Sequence, residues 1–380
     1  MQEQSTFGHS SHAPARFFRI EFTGSGSEYF RIWIVNLLLS LVTLGLYIPF
    51  AKARRLRYFY SNTLIDGQAL AFHGNPWRMF RGFVLLALLM AAYALSGQFS
   101  PLAGLVAFLI LCAIWPALWR ASLQFRLANT SWRGLRFGFR GGLAGAYRAF
   151  LPTYLPALVI VAVGAWWPEV LQDRTATELT GPHLAVLSAS LALMLLGPWT
   201  LALSKIYQHG HYALANQHSR TDLGVGAFYI LMLKYLGWTL AYLLLAGGLL
   251  FILTKLAGAW LLVPLVVLLY LGLLALVWPY LTVRLQNLVW NRTRSEDMRF
   301  ESGLSLRSFA WLSLKNWLLT LITLGLYRPF AAINSTRLRL EAVQLLVRGD
   351  LDAWVAEQAL AQPDAAGDAA GDFFGIDMGL

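Results

Sequence analysis

The sequence predicts an all-α polytopic membrane fold carrying short β-hairpins on its cytosolic side. Three observations predict it. Of the 380 residues, 57% are hydrophobic and 13% charged, whereas soluble domains run at about 45–50% and about 25%; mean hydropathy is +0.55. Apolar runs long enough to cross a bilayer recur along the chain. Lys and Arg gather beside those runs, which reads the net charge of +11 as topology rather than nucleic-acid affinity.

Taken in order, residues 1–15 are polar and read as a disordered, retained N-terminus. Residues 16–30 alternate aromatic and polar side chains and break at Gly24 and Gly26, a short-strand pattern. A first apolar run, 32–50, ends in TLGLYIPFA (43–51) and meets a basic stretch of Lys52, Arg54, Arg55 and Arg57. A hairpin-like segment follows, with Asp66-Gly67 as a favoured two-residue turn. Six full spans then come in pairs: 80–96 with 101–119, 149–167 with 183–203, and 236–254 with 256–280. A second run ends in TLGLYRPFA (323–331), agreeing with the first at eight of nine letters at an offset of about 280 residues. Internal repeats of this kind frame a reading of the whole chain.

The long loops between pairs share features. Asn62, Asn129, Asn216 and Asn287 each follow an apolar side chain by two residues, and Phe22, Phe72, Phe139 and Phe300 each open a Gly-containing exit. The expected unit is a strand with Phe and Gly, a membrane hairpin, a basic exit and a strand with Asn. The long segments 51–81, 119–148, 204–235 and 281–308 carry 6, 6, 3 and 5 Lys+Arg, against 0, 1 and 1 in the opposite loops 97–100, 168–182 and 254–258. Long loops are therefore expected in the cytoplasm. The two motif runs are either re-entrant or spanning, giving six to eight membrane segments in all; re-entrant backbone requires burial in protein or a wet cavity. The integral membrane domain is read as 16–345. From Asp350 the chain carries seven acids and no Lys or Arg, so 346–380 reads as a disordered acidic tail.

The stretches GSGSEYFRIWIVN (24–36), TLGLYIPFAKARRLRYFYSNT (43–63) and the second TLGLY block (323–327) resemble the YjgN family of bacterial inner-membrane proteins, a family defined by a domain of unknown function. The likeness covers roughly residues 16–345. It implies a multi-pass protein of the bacterial inner membrane and no particular activity. The second copy has Ala332, Asn334 and Ser335 opposite Lys52, Arg54 and Arg55, so its basic exit is thinned.

Catalytic chemistry is not expected. No acid falls within the six spans or the two motif runs, where one would suggest a proton relay or ion site, and no HExxH, P-loop, GxSxG or cysteine pair occurs. Cys112 stands alone. His209, His211 and His218 share one loop and read as solvated side chains rather than a metal site. No cofactor or metal is expected, and the protein reads as no enzyme. The candidate binding or helix-packing residues are Asn36, Thr43, Gly45, Tyr47 and Pro49 with Asn316, Thr323, Gly325, Tyr327 and Pro329. Asn36 and Asn316 lead that set, because an amide in lipid must find partners; they serve either as packing contacts or, with Thr and Tyr, as a polar cavity lining between halves. Lys52, Arg54, Arg55 and Arg57, with their neighbouring aromatics, suit anionic lipid headgroups. The expected partners are anionic membrane lipids and no nucleic acid, and homo-oligomerisation is left open. Transport or permeation of a small solute or lipid is the first functional expectation, a non-transporting membrane scaffold or envelope-maintenance protein the second.

Overall fold

The computed structural model describes residues 16–172, 180–258, 260 and 262–361. Among these residues, eleven short strands join into one antiparallel sheet. They are β1 (Arg16–Phe22), β2 (Thr63–Ile65), β3 (Gln68–Phe72), β4 (Thr130–Trp132), β5 (Leu135–Phe139), β6 (Tyr212–Leu214), β7 (Gln217–His218), β8 (Arg220–Thr221), β9 (Thr293–Arg294), β10 (Met298–Ser302) and β11 (Val343–Val347). Their order is β7-β6-β5-β4-β3-β2-β1-β11-β10-β9-β8. The edge strands β7 and β8 are neighbours in sequence, separated by Ser219 alone, so the sheet is barrel-like. This corrects the all-α expectation: the hairpins do not stand separately but pair side to side, with β1 and β11 bringing the two ends of the described chain together.

Five helical hairpins leave the sheet and return to it. They are α1 (Gly26–Val42) with α2 (Ile48–Ser61), α3 (Pro76–Phe99) with α4 (Pro101–Ala128), and α5 (Leu143–Trp166) with α7 (Gly181–His209), the short α6 (Glu169–Gln172) lying between the last two. The fourth pairs α8 (Val225–Ala257) with α9 (Leu262–Gly272) and α10 (Trp278–Trp290), and the fifth α11 (Leu306–Ile322) with α12 (Arg328–Glu341). Each departing and returning strand meets in register: Phe22 faces Thr63, Phe72 faces Thr130, Phe139 faces Tyr212, Thr221 faces Thr293 and Ser302 faces Val343. Successive hairpins pack α2 on α3, α4 on α5, α7 on α8 and α10 on α11, and α12 packs back on α1.

Local chemistry accounts for these joints. Asn62 and Asn129 end α2 and α4 by donating Nδ2 to the carbonyls of Tyr58 and Phe125, at 2.8 Å each. Thr63, Thr130 and Thr293 begin their strands with Oγ1 donated four residues back, at 2.8, 2.7 and 2.8 Å. The Asp66-Gly67 and Arg133-Gly134 turns hold both residues at positive φ, the type I′ geometry that matches strand twist. At the exits, Phe72 and Phe139 fold their rings over Gly74 and Gly141, where a Cβ would lie 2.4 and 2.6 Å from ring atoms. The returning helices then grip the neighbouring exit: Arg57 donates to Gly74 O at 3.3 Å, Arg120 to Gly141 O at 2.6 Å, Asn287 to Leu304 O at 3.0 Å and Arg337 to Gly24 O at 2.8 Å.

Three of the loop correspondences shift. Asn291, not Asn287, ends α10, and Ser302, not Phe300, is the last exit residue paired with the next strand, Phe300 facing Leu345 two positions earlier. Asn216 sits beside Ala215 in the β6–β7 turn rather than at a helix end.

α3, α4, α5, α7 and α8 are long and apolar enough to cross a membrane. The sixth run, 256–280, is not one such helix. α9 passes through a π-helical turn, Leu273–Val277, into α10. Pro279 follows at the start of α10, and its missing N–H leaves the preceding turn without a regular donor. The two motif runs are helix–turn–helix hairpins of 17 and 14 residues each.

The sheet interior is packed at its α13 end. Trp132, Met298, Leu345 and Val347 form its core with Phe18, Phe137 and Leu214, and Leu351 and Trp354 of α13 (Leu351–Ala361) pack against it. Asp350 caps α13 by accepting from Asp352 N at 2.9 Å, Asp352 pairs with Arg133 at 2.7 Å, and Trp354 Nε1 donates to Asn216 Oδ1 at 3.1 Å. The tail expected to be disordered thus begins with an ordered helix; its remainder, 362–380, and the N-terminal 1–15 lie outside the described residues.

Candidate functional site: hairpin tips and an axial cavity

The two TLGLY stretches fold alike. Thr43 Oγ1 donates to Leu39 O at 2.7 Å and accepts from Tyr47 N–H at 3.0 Å; Thr323 does the same with Leu319 and Tyr327, at 2.7 and 2.9 Å. One hydroxyl therefore ends one helix and begins the next. Gly45 and Gly325 lie at φ 92° and 95°, and each is preceded by a leucine at positive φ, Leu44 at 51° and Leu324 at 50°. A left-handed non-glycine residue costs roughly 1–2 kcal/mol. Both leucines are almost wholly exposed, at 94% and 93%. Strain and exposed apolar surface thus coincide at each tip.

The remaining motif residues hold the hairpins in place. Pro49 and Pro329 occupy the first turns of α2 and α12, where a missing N–H costs nothing. Tyr47 stacks on Phe50 at 5.6 Å and Tyr327 on Phe330 at 5.5 Å. Phe50 packs edge-on against Trp77 of α3 at 5.0 Å, and Phe330 lies 5.9 Å from Phe30 of α1. The motif phenylalanine thus reaches the first helix of the next hairpin in both cases. Asn36 and Asn316 are buried at 8% and 6%, and no hydrogen bond between them occurs among the described residues. Asn316 Nδ2 reaches Ser335 Oγ at 3.1 Å within its own hairpin, and both Oδ1 atoms stand without a hydrogen-bond partner.

The basic band divides. Arg57 is committed to Gly74. The Arg54 guanidinium lies over the Tyr47 ring at 5.8 Å and that of Arg55 over Phe59 at 5.5 Å. Lys52 lies near Arg55 and also shares a second neighbourhood with Arg126, near the end of α4. Arg126 also acts on Lys205 of α7, as does Arg339 of α12. Lys52, Arg126 and Arg339 are exposed at the side chain, yet enclosure by protein lowers the pKa of Lys52, with Arg126 and Arg55 adding to the shift, and lowers that of Arg339. Arg339 Nε donates to Gln286 Oε1 at 2.8 Å, and Gln286 Nε2 donates to Arg339 O at 2.9 Å.

Next to this collar, between the returning helices and the sheet, lies a cavity of about 520 Å³. Leu70, Leu127, Phe137 and Phe300 give it an apolar wall, and Gln286 and Arg339 line it too. The sequence reading did not single out Arg126, Lys205 or Arg339 as a set. Their shared signal is a cation within the last two turns of a helix that returns to the sheet.

The three loop histidines do not form a unit. His209 is 6% exposed and packs edge-on against Trp290 at 5.2 Å, with Nδ1 3.3 Å from Thr293 Oγ1, which corrects the solvated reading for that residue. His211 Nδ1 lies 2.8 Å from Tyr207 O, and His218 Nε2 lies 2.9 Å from Arg140. No group of three potential metal-ligating side chains occurs among the described residues.

Comparison with known proteins fits this membrane architecture. A family described as "Bacterial protein of unknown function (DUF898)" matches residues 18–373, reaching beyond 345 into the acidic tail. The inner membrane protein YjgN of Salmonella typhimurium is 33% identical over 156 residues, covering 38% of this chain and 40% of that protein. Inner membrane protein YjgN of Escherichia coli K12 is 32% identical over 148 residues, covering 38% and 36%. The matched segment thus spans about two fifths of these curated relatives. No solved structure matches the chain. By family match and by its apolar helices, the chain belongs to the DUF898 family of bacterial proteins, with the YjgN proteins as relatives, and is an integral inner-membrane protein.

Proposed function

We propose that the protein is a non-enzymatic, lipid-engaging scaffold of the inner membrane, a ring built from five repeats of one helical hairpin with its sheet in the cytoplasm. The observation that carries this reading is the pair of strained, exposed leucine tips at Leu44 and Leu324. The motif residues spend their hydrogen bonds and aromatic contacts on closing and locking the hairpins, which supports a structural role better than a lining for solute passage. The packing of α13 against one end of the sheet interior likewise favours a scaffold over a permeation pathway. The five matching strand registers support the repeat, and the Lys and Arg excess in the sheet-bearing segments supports the cytoplasmic orientation.

On this reading the α1–α2 and α11–α12 hairpins enter one leaflet, tip first, and turn back. Arg54 and Arg55 lie near anionic headgroups, each contributing about 1 kcal/mol. A fluorophore at position 44 or 324 in proteoliposomes tests it with depth-resolved quenchers. Quenching by acyl-chain labels is the expected result, and quenching only by an aqueous reagent refutes tip insertion.

A further inference from the structure

We infer that the axial cavity and its cationic collar bind an anionic amphiphile, with a carboxylate or phosphate head on the collar and its hydrocarbon chain in the cavity. The head site is Lys52, Arg126, Lys205 and Arg339, contributed by α2, α4, α7 and α12. Arg126 acts on both Lys52 and Lys205, and Arg339 on Lys205, so the four cations repel one another, and no carboxylate pairs with them among the described residues. The ion pairs among the described residues join Arg133 to Asp66 and Asp352, Arg220 to Glu296, and Arg294 to Asp222. None includes a collar residue. The internal contacts of the collar are neutral: Lys205 Nζ reaches Gln208 Oε1 at 3.4 Å, and Arg339 reaches Gln286. Neighbouring cations without a carboxylate partner among the described residues, with N–H donors to spare, suit an oxyanion.

The cavity defines the rest of the ligand. Its volume of about 520 Å³ falls within the roughly 300–1,000 Å³ of small-molecule pockets, and Leu70, Phe137 and Phe300 offer it no hydrogen bond. A small inorganic anion would use the collar and leave the cavity without a partner. An uncharged hydrocarbon would fill the cavity and leave the cations unneutralised. A molecule with both parts satisfies both surfaces at once. The site differs from the hairpin tips in residues and position, so it does not depend on the scaffold reading.

The test uses the full chain purified in a non-ionic detergent, titrated separately with oleate, with dioleoyl phosphatidic acid and with inorganic phosphate, and followed by native mass spectrometry and thermal unfolding. Saturable binding of one oleate or one phosphatidic acid per chain is expected, and whichever binds identifies the head as carboxylate or phosphate. The variant Arg126→Gln/Lys205→Gln should weaken binding at least about tenfold, the loss of a charge-assisted contact. Lys205→Arg keeps the charge and should keep binding. Leu127→Trp, which fills the cavity, should weaken the long chain more than an octanoate control. Arg220→Gln, on β8 and outside both the collar and the hairpin tips, should leave binding unchanged. Equal binding by the collar variant and the parent overturns the inference. So does inorganic phosphate binding as tightly as the amphiphiles, or the absence of binding by any probe. Loss of folding in the double variant is replaced by the same comparison in Arg126→Gln alone.

Discussion

Gly74 offers a sharp test of how the ring is locked. A Cβ built there lies 2.4 and 2.6 Å from two ring atoms of Phe72, about 1 Å inside ordinary contact. The backbone itself would accept alanine, since Gly74 is not among the residues at positive φ, so the penalty is purely steric. The ring has little room to retreat. Phe72 is 6% exposed and packs with Ala53, Met79 and Phe125, and the Tyr60 ring stands 5.7 Å away. Overpacking of this kind costs about 1–3 kcal/mol, a fall of about 1–4 °C in Tm for a chain of this length. The assay is thermal unfolding of purified Gly74→Ala, Phe72→Leu and the double variant in detergent. Phe72→Leu removes the obstructing ring, so the double variant should be less destabilised than the two singles summed, by about 1 kcal/mol or more. Gly303→Ala is the control, because a Cβ there meets nothing within 4 Å. Additive losses within about 0.5 kcal/mol, or an unaffected Gly74→Ala, would refute the steric lock.

Three further outcomes follow from the same structure. Replacing both Thr43 and Thr323 by valine removes two side-chain hydrogen bonds per tip and should lower stability by about 1–2 kcal/mol per site, read as a loss of Tm; no change would show that water replaces the hydroxyls. Trp354→Ala should expose the sheet core and speed proteolysis after position 350, whereas an unchanged digestion pattern would show α13 to be dispensable. Burial lowers the pKa of Lys52 below the ordinary 10.5, with Arg126 and Arg55 adding to the shift. The folded chain then binds fewer protons at this site than the unfolded chain, so the charged lysine costs stability at neutral pH and the cost fades as pH rises towards 10.5. Lys52→Gln should therefore raise Tm at pH 7 with an advantage that shrinks by pH 10.5; a pH-independent difference would assign the effect to packing.

The membrane character, the paired helices and the duplicated nonapeptide were legible in the sequence, because they rest on long apolar runs and on near-identity of letters. The Asp66-Gly67 turn was legible for the same local reason. The ring was not. Its strands are as short as two residues, too short for alternation to register, and partners such as Arg16 and Val347 are set by the hairpins between them. The slips at Asn287 and Phe300 share that cause: loops of unequal length hide the register that pairing fixes. α13 was masked by its acids, although Leu351, Trp354 and Val355 already trace one apolar helical stripe. At the candidate sites, the motif was legible from its letters, but the choice between packing contacts and a polar lining was not, since hydrogen bonds within a turn leave no pattern distinct from such a lining. The collar was missed because its cations come from four helices far apart in sequence.

The pairing of β1 with β11 has a consequence for biogenesis. Translation makes β1 early and its partner roughly 330 residues later, which at about 5–20 residues per second is a wait on the order of 20–60 s. Throughout that interval the growing assembly is an open arc with an unpaired strand edge at its start, the kind of edge that recruits foreign strands. Stop codons, stalled ribosomes and truncations upstream of Val343 would all leave that arc unfinished, whereas joining residues 16 and 347 by a short linker would let the chain begin at another turn of the circle. A permutant opened at Asp66-Gly67 should close the same ring in a different temporal order.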